Sequence, residues 1–301
     1  MALALASPPV ASSRAPDNAG NPLVIHLPGE DAPIAIPRQT QNTLSPELRS
    51  HGELSSEERQ QRFVNTLLPL ILTENARVLR ERRSATMLLK RLQRGRSLRQ
   101  KNAEWLQRLA ADYGVTGDPL SEAKARQELL LRVDVIPPSL ALAQAAIETG
   151  WGSSKAAQRD RNLFGMIGVV ATSKKSKARR KGHGGRTSRL RFAHLADSVQ
   201  GYVRNLNSHS AYKMLRALRA KARARGVEPS GSTLTAGLTA YSELGKGYVK
   251  LIKTAIHGSD LARYDLARLG PALDLAPEIA SESPAAFGPQ AYARLEDSST
   301  L

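Results

Sequence analysis

The chain has 301 residues and a formal net charge of +17 at pH 7, so it is long enough for one large or two modest domains. Its charge favours an anionic partner, such as nucleic acid, anionic lipid or the acidic polymers of a bacterial envelope. The chain contains no cysteine, which excludes disulfides and thiolate metal sites, and no run of about eighteen apolar residues, so no transmembrane helix is expected.

The N-terminal part, residues 1–50, is rich in Pro, Ala, Ser and Asn without sustained periodicity, which predicts a disordered lead-in. Its first residues, MALALASPPVASSRA, combine a short apolar stretch with small residues but lack a basic n-region. A truncated secretory signal and a disordered alanine-rich tail therefore both remain open.

Helical periodicity begins at Ser55, where Ser-Glu-Glu is typical of a helix cap, and residues 55–118 are predicted to form amphipathic helices. Their spacing fits helices that pack on the rest of the protein and, equally, helices that engage a partner.

A largely buried helix is predicted over about 138–149. Pro137 and Pro138 suit a first helical turn, and no charged residue follows them before Glu148. Gln144 and Glu148 are four residues apart on one face of this helix, while their neighbours are apolar, so we expect one polar strip that lines a wet cleft.

The following segment changes character. Extended-looking GMIGVV and SRLRF flank a basic stretch without acids, which predicts a β-hairpin with a long basic loop at 174–191. Further helices are predicted at 211–225, 232–241 and 246–257, and a flexible tail at 266–301. The fold class is therefore mainly α with one small β element.

Glu148 is the residue best suited to acid catalysis. It lies in the last turn of its helix before Gly150, where the helix dipole and partial burial are both expected to raise the pKa of the carboxyl group. A carboxylic acid kept partly protonated near neutral pH suits a general acid for glycosidic cleavage. A structural role, in which Glu148 pairs with a buried arginine or backbone NH groups, stays open, and Trp151 fits either the core or a platform for a sugar ring.

The segment PPSLALAQAAIETGWGSSKAAQRDRNLFGM resembles the signature of the glucosaminidase family, glycoside hydrolase family 73, and in particular its Bax-type bacterial branch. The resemblance continues through FAHLADSVQGYVRNLNSHSAYKMLR and AGLTAYSELGKGYVKLIKTAI and covers about residues 119–265. It implies a lysozyme-like helical domain with a small β-hairpin lobe, preceded by the helices of 55–118. It also implies an enzyme that cleaves the β-1,4 bond after N-acetylglucosamine in peptidoglycan.

Carried over by position, the resemblance implies that Glu148 is the general acid and that Tyr241 is a tyrosine of the cleft, with Tyr248 as a companion. Asn162 and Phe164, in NLFGM, match residues that line the sugar cleft, and Gln144 and Trp151 complete the expected substrate-binding set.

The chain departs from this pattern in the hairpin, where many relatives carry a second carboxylate. Residues 169–192 contain no Asp or Glu, and Ser188 stands near the corresponding place. Asp197, which also suits a helix cap, and Glu243 are the nearest candidates for a second acid. If neither serves, the 2-acetamido group of the substrate can act as the nucleophile, with Tyr241 orienting that group.

The resulting hypothesis is a peptidoglycan hydrolase, an endo-β-N-acetylglucosaminidase of the periplasm or cell envelope, that uses no cofactor. No metal is expected, because His183 and His194 are too isolated to form a site. The alternative is a catalytically weak glycan-binding envelope protein. The basic loop at 174–191 suits anionic envelope polymers, whereas nucleic acid is disfavoured because no aromatic residue lies between Ala171 and Arg191.

Overall fold

The structure is a computed structural model and describes residues 23–29, 33–36, 44–49, 54–169 and 187–270. The α-helices are α1 (Ser56–Gln93), α2 (Gln100–Asp112), α3 (Ala123–Arg132), α4 (Pro138–Thr149), α5 (Lys155–Asp160), α6 (Leu195–Ser208), α7 (Lys213–Ala224), α8 (Gly231–Leu234) and α9 (Lys246–Gly258). The strands are β1 (Leu23–His26), β2 (Ile34–Ile36), β3 (Ile167–Val169), β4 (Thr187–Arg189) and β5 (Arg268–Leu269). Short 3-10 helices lie at Pro46–Arg49, Ser210–Tyr212, Thr235–Leu238 and Leu261–Leu266.

The long helix α1 begins with the cap that the sequence predicts. The backbone NH of Glu58 donates to Ser55 Oγ at 3.2 Å, and the backbone NH of Ser55 donates to Glu58 Oε2 at 2.8 Å. Because α1 contacts α4 and α6 and buries Phe63, Leu67 and Ile71 completely, it packs on the rest of the protein. The N-terminal helices were expected either to pack on the rest of the protein or to bind a partner, and α1 packs on the rest of the protein.

Helix α4 is the centre of the core. It begins at Pro138, as predicted, and ends before Gly150, whose φ of 56° is left-handed, as glycine readily allows. All its residues from Pro138 to Ala146 are buried. It contacts α1, α8, α9 and the 3-10 helix Leu261–Leu266.

A three-stranded antiparallel sheet, ordered β2-β1-β5, joins distant parts of the chain. Strand β1 pairs Val24 with Ala35 of β2 and Ile25 with Leu269 of β5. These strands correct the expectation of disorder for this part of the lead-in and move the start of the predicted tail beyond residue 269. Strands β1 and β5 are far apart in sequence, and local composition does not reveal such a pairing. Residues 1–15, interpreted above as a truncated signal or a disordered tail, and the remaining tail, 271–301, lie outside the described residues.

The predicted β-hairpin is confirmed by strands β3 and β4, which pair antiparallel with Gly168 opposite Ser188. Most of its basic loop lies outside the described residues, which stop at 169 and resume at 187. The predicted mainly α-helical fold with a small β-hairpin lobe is therefore confirmed. The described helices include none with both the length and the apolar character needed to cross a membrane.

Candidate active site

The first turn of α4 is held by a carboxylate from the 3-10 helix Leu261–Leu266. Asp265 accepts hydrogen bonds from the backbone NH of Ser139 at 2.8 Å, from Ser139 Oγ at 2.9 Å and from the backbone NH of Gly231 at 2.9 Å. Burial raises the pKa of Asp265 despite these hydrogen bonds, which act to lower it. A negative group at a helix N-terminus satisfies unpaired NH groups and complements the helix dipole.

The loop that leads into α4 is held by a buried guanidinium. Arg219 Nη1 donates to the carbonyl oxygen of Val135 at 2.9 Å and to Asn207 Oδ1 at 2.7 Å, and its Nη2 donates to the carbonyl oxygen of Leu131 at 2.9 Å. Burial lowers the pKa of Arg219 to about 10. Its carboxylate partner is Asp134, with Arg219 Nε 3.8 Å from Asp134 Oδ2.

Asp134 is itself surrounded by cations. Burial acts to raise its pKa, but Arg219, Arg223 and Arg82 more than offset this, so the pKa of Asp134 lies below its usual value. Arg223 donates to both carboxylate oxygens, at 3.0 and 3.1 Å. The start of α4 is therefore fixed by charged and polar groups.

The end of α4 is built differently. Gly150, Trp151 and Gly152 all have positive φ, of 56°, 54° and 82°. A Cβ on Gly152 would lie 3.1 Å from Leu48 Cδ1 and 3.2 Å from Phe63 Cδ2, and the φ of 82° also favours glycine. Trp151 packs edge-on against Phe63 of α1, with ring centroids 5.6 Å apart and planes at 77°. Trp151 is half-buried, and α1 thus supports the turn that directly follows Glu148.

Glu148 receives a hydrogen bond from α9. Tyr248 OH donates to Glu148 Oε1 at 3.2 Å, and Gln144 Nε2 donates to Tyr248 OH at 3.2 Å. Tyr202 OH in turn donates to Gln144 Oε1 at 2.8 Å. This chain, Tyr202 to Gln144 to Tyr248 to Glu148, is called the donor chain below. Its direction follows from Gln144, whose carbonyl oxygen faces Tyr202 and whose amide NH faces Tyr248.

The prediction that Gln144 faces a wet cleft is wrong, because its side chain is fully buried between the two tyrosines. Helical spacing places Gln144 and Glu148 on one face but does not tell whether that face meets water or other side chains. Gln144 is therefore placed to position Tyr248.

Two aromatic stacks accompany the donor chain. Phe164 stacks on Tyr202 with centroids 3.8 Å apart, and Tyr241 stacks on Tyr248 with centroids 5.3 Å apart. Tyr241 OH donates to the carbonyl oxygen of Phe164 at 2.9 Å, and burial raises its pKa well above the usual value. Tyr241 thus links α9 to the segment before β3, and Tyr248 donates a hydrogen bond to Glu148.

Asn162 forms a local clamp at the root of the hairpin. Its Nδ2 donates to the carbonyl oxygens of Met166 at 2.7 Å and Leu190 at 3.0 Å, and its Oδ1 accepts from the backbone NH of Met166 at 2.9 Å. These contacts fix the turn that carries Phe164.

The two candidates for a second acid lie in different environments. Asp197 Oδ2 accepts from the backbone NH of His194 at 2.9 Å, which is the capping role that its position favours. Glu243 is exposed before α9, and Ser188 is exposed on β4. In the ranges that the structure describes, no group of three or more His, Cys, Asp or Glu is arranged to hold a metal ion.

Sequence reasoning missed three residues near the site: Tyr202, Asn205 and Tyr212. The helical periodicity of α6 indicates that Tyr202 faces the core, but nothing in it shows which partner its hydroxyl meets. Asn205 and Tyr212 line a small pocket with Phe164 and Tyr241. A larger open groove of about 510 Å³ runs along the basic face of α9, past Lys246, Lys250 and Lys253, and shares no residue with the donor chain.

Comparison with known proteins gives a consistent result. The family described as mannosyl-glycoprotein endo-beta-N-acetylglucosaminidase, Glucosaminidase, matches residues 123–259. Protein bax of Escherichia coli strain K12 is 32% identical over 203 residues, which cover 67% of this chain and 70% of that protein. Among solved structures, the catalytic domain of the autolysin Auto from Listeria monocytogenes is 17% identical, with a TM-score of 0.35, over 71% of this chain and 91% of that one.

Proposed function

The chain belongs to the glucosaminidase family, and on this premise we propose that it is a peptidoglycan hydrolase that cleaves the β-1,4 bond after N-acetylglucosamine. The observation that carries the proposal is the position of Glu148: a partly exposed carboxyl group at the C-terminal end of a buried helix, held on one oxygen by Tyr248. Such a substrate places the protein in the periplasm or elsewhere in the cell envelope.

The donor chain gives the two oxygens of Glu148 different roles. Because Gln144 Nε2 already donates to Tyr248 OH, the single hydroxyl proton of Tyr248 is directed to Glu148 Oε1. Oε1 is thus an acceptor, and the carboxyl proton belongs on Oε2. Glu148 is therefore suited to deliver a proton to a glycosidic oxygen.

The remaining steps are assigned to the substrate. As Glu148 protonates the leaving oxygen, the bond from C1 to that oxygen breaks and the carbonyl oxygen of the 2-acetamido group attacks C1, forming a cyclic oxazolinium ion. Water then attacks C1, gives its proton to the Glu148 carboxylate and opens the ring, which restores both groups and retains the configuration. This course needs no second carboxylate, in keeping with the capping role of Asp197 and the exposure of Glu243.

The test is mass spectrometry of purified peptidoglycan digested by the wild type and by Glu148→Gln. We expect fragments with reducing N-acetylglucosamine ends from the wild type and a loss of about 10²-fold or more in the variant. The matched control is Glu57→Gln, because Glu57 is exposed in the first turn of α1. Equal digestion by Glu148→Gln would contradict the assignment of the acid.

A second candidate is a glycan-binding protein with little or no hydrolytic activity, favoured by the single carboxylate of the donor chain. It predicts that the wild type sediments with insoluble peptidoglycan but releases no reducing ends between acidic and neutral pH. Anionic envelope polymers remain proposed partners of the hairpin, where Arg189 and Arg191 are exposed.

A further inference from the structure

A narrow pocket lies beside the donor chain. Its walls include the ring of Tyr241, the ring of Tyr212 and the side chains of Met166 and Asn205. The pocket encloses about 270 Å³ including its opening to solvent, and its inner part, of about 10 Å³, has room for one group of the size of a water molecule or a methyl group. The pocket is thus mostly apolar and aromatic, with one amide in its wall.

Asn205 is a buried polar residue with an unpaired side-chain atom. It is 7% exposed, and its Oδ1 is buried without a hydrogen-bond partner in the protein. Asn207, two residues further along α6, contrasts with it: Asn207 Nδ2 donates to the carbonyl oxygen of Asp134 at 2.8 Å, and its Oδ1 accepts from Arg219. Buried polar atoms are normally paired, and an unpaired one reduces stability, so Asn205 invites a functional explanation.

We propose that Asn205 is a specificity-determining residue that pairs with the 2-acetamido group of N-acetylglucosamine, whose methyl end enters the pocket between Tyr241 and Tyr212. The inference rests on the proposed function, since it names the part of that substrate that the site reads. A secondary amide presents one NH donor and one carbonyl acceptor, and the Asn205 amide offers the complementary pair in either of its two orientations. The apolar walls suit the methyl group.

The pairing also serves the proposed chemistry. The acetamido oxygen must lie close to C1 to attack it, and an amide held by Asn205 and confined by the Tyr241 ring has little freedom to rotate away. Asn205 is then a positioning residue for the nucleophile as well as the group that recognises it. A sugar with a free 2-amino group supplies neither the carbonyl nor the methyl group and leaves the Asn205 amide unpaired.

The test compares binding of the tetramers of N-acetylglucosamine and of glucosamine to Glu148→Gln and to the double variant Glu148→Gln, Asn205→Leu, by calorimetry. We expect Asn205→Leu to weaken binding of the acetylated tetramer by about tenfold or more, and to leave binding of the glucosamine tetramer unchanged. The positive charge of the free amine affects binding to both proteins. For each tetramer we therefore take the Kd of the double variant divided by that of Glu148→Gln, and the difference between the two tetramers reports the contribution of the Asn205 amide. Asn102→Leu is the matched control, because Asn102 is exposed on α2.

Thermal unfolding separates recognition from packing. Because Oδ1 of Asn205 has no partner, its replacement by leucine should leave Tm unchanged or raise it, whereas Asn207→Leu should lower Tm. The proposal is overturned if Asn205→Leu has a lower Tm. It is also overturned if Asn205→Leu weakens the binding of both tetramers equally or of neither. Failure of both tetramers to bind overturns it as well.

If the Asn205→Leu variant does not fold, NMR of a protein that keeps Asn205 tests the proposal. The side-chain amide resonances of Asn205 in Glu148→Gln should shift on addition of the acetylated tetramer and not of the glucosamine tetramer, and unchanged resonances overturn the proposal. Cleavage of peptidoglycan by the wild type is assayed separately. A protein that binds through Asn205 and cleaves nothing disproves the hydrolase proposal alone.

Discussion

The two ends of α4 are held by opposite means. At its start, charged and polar groups from distant elements converge: Asp265 on the first turn, and Arg219 with Asp134 on the preceding loop. At its end, a turn with three positive φ angles rests on the apolar side chains of Leu48 and Phe63. The start is thus fixed by polar contacts. The end has a turn of strained backbone and a partly exposed acid, Glu148. We therefore expect substitutions at the start of α4 to reduce stability more than substitutions at its end.

The largest effect is expected at the start of α4. Arg219→Met removes the cation from a fully buried network and leaves carbonyl oxygens and part of Asp134 uncompensated, so the free energy of unfolding should fall by about 3–5 kcal/mol. Denaturant unfolding measures this loss. Arg108→Met, at an exposed arginine paired with Glu104, should change stability by less than about 0.5 kcal/mol. Similar losses for the two variants would refute the contrast.

At the end of α4, Gly152→Ala should lower the free energy of unfolding by about 1–3 kcal/mol, because alanine adds both backbone strain and a clash with Phe63. The control is Gly95→Ala, since Gly95 has a φ of 69° but no atom within 4 Å of the added Cβ. The difference between the variants measures the clash alone. If both lose the same amount, the turn is not tightly packed on α1.

Tyr248→Phe tests the donor chain. Loss of the hydroxyl removes the hydrogen bond that Glu148 Oε1 accepts and the one that Gln144 Nε2 donates, so peptidoglycan cleavage should fall by about tenfold, which corresponds to about 1.4 kcal/mol. Tyr264→Phe removes another buried hydroxyl, bonded to Arg263, and should leave the rate unchanged. An unaltered rate in Tyr248→Phe would show that the chain does not serve the acid.

The smallest expected effect is a pH dependence at the start of α4. The folded pKa of Asp134 is lowered, so its stabilisation is fully present above the unfolded value of about 3.8 and is lost as the pH falls through the folded pKa. Asp265 has a raised pKa and acts in the opposite sense, since its contribution weakens as the pH rises above about 3.8. Asp134→Asn should flatten the decline in stability below pH 4, and Asp265→Asn should remove part of the decline above it. Unchanged slopes would contradict these pKa directions.

Local signals were sufficient to predict α4, because Pro138 and Gly150 mark its ends and its composition shows its burial. The hairpin β3–β4 followed from its flanking apolar segments. The resemblance pointed to Tyr241 and Tyr248 together, but only the fold shows that Tyr248, one hundred residues after Glu148, donates a hydrogen bond to its carboxyl group. The prediction that the side chain of Gln144 faces a wet cleft was wrong, because a buried polar residue and a hydrated one can have the same helical spacing. Strands β1 and β2, of four and three residues, are too short for a sustained alternating pattern, and the pairing of β1 with β5 is set by tertiary structure.

The pairing of Ile25 with Leu269 also bears on the order of folding. During synthesis β1 emerges long before β5, and β1 with β2 alone forms an isolated hairpin that is marginally stable in water. The three-stranded sheet is therefore completed only after almost all of the described chain has been made. Such long-range pairing requires closure of a large loop, which is slow. We expect this sheet to acquire protection from hydrogen exchange later than α4 when the unfolded protein is refolded.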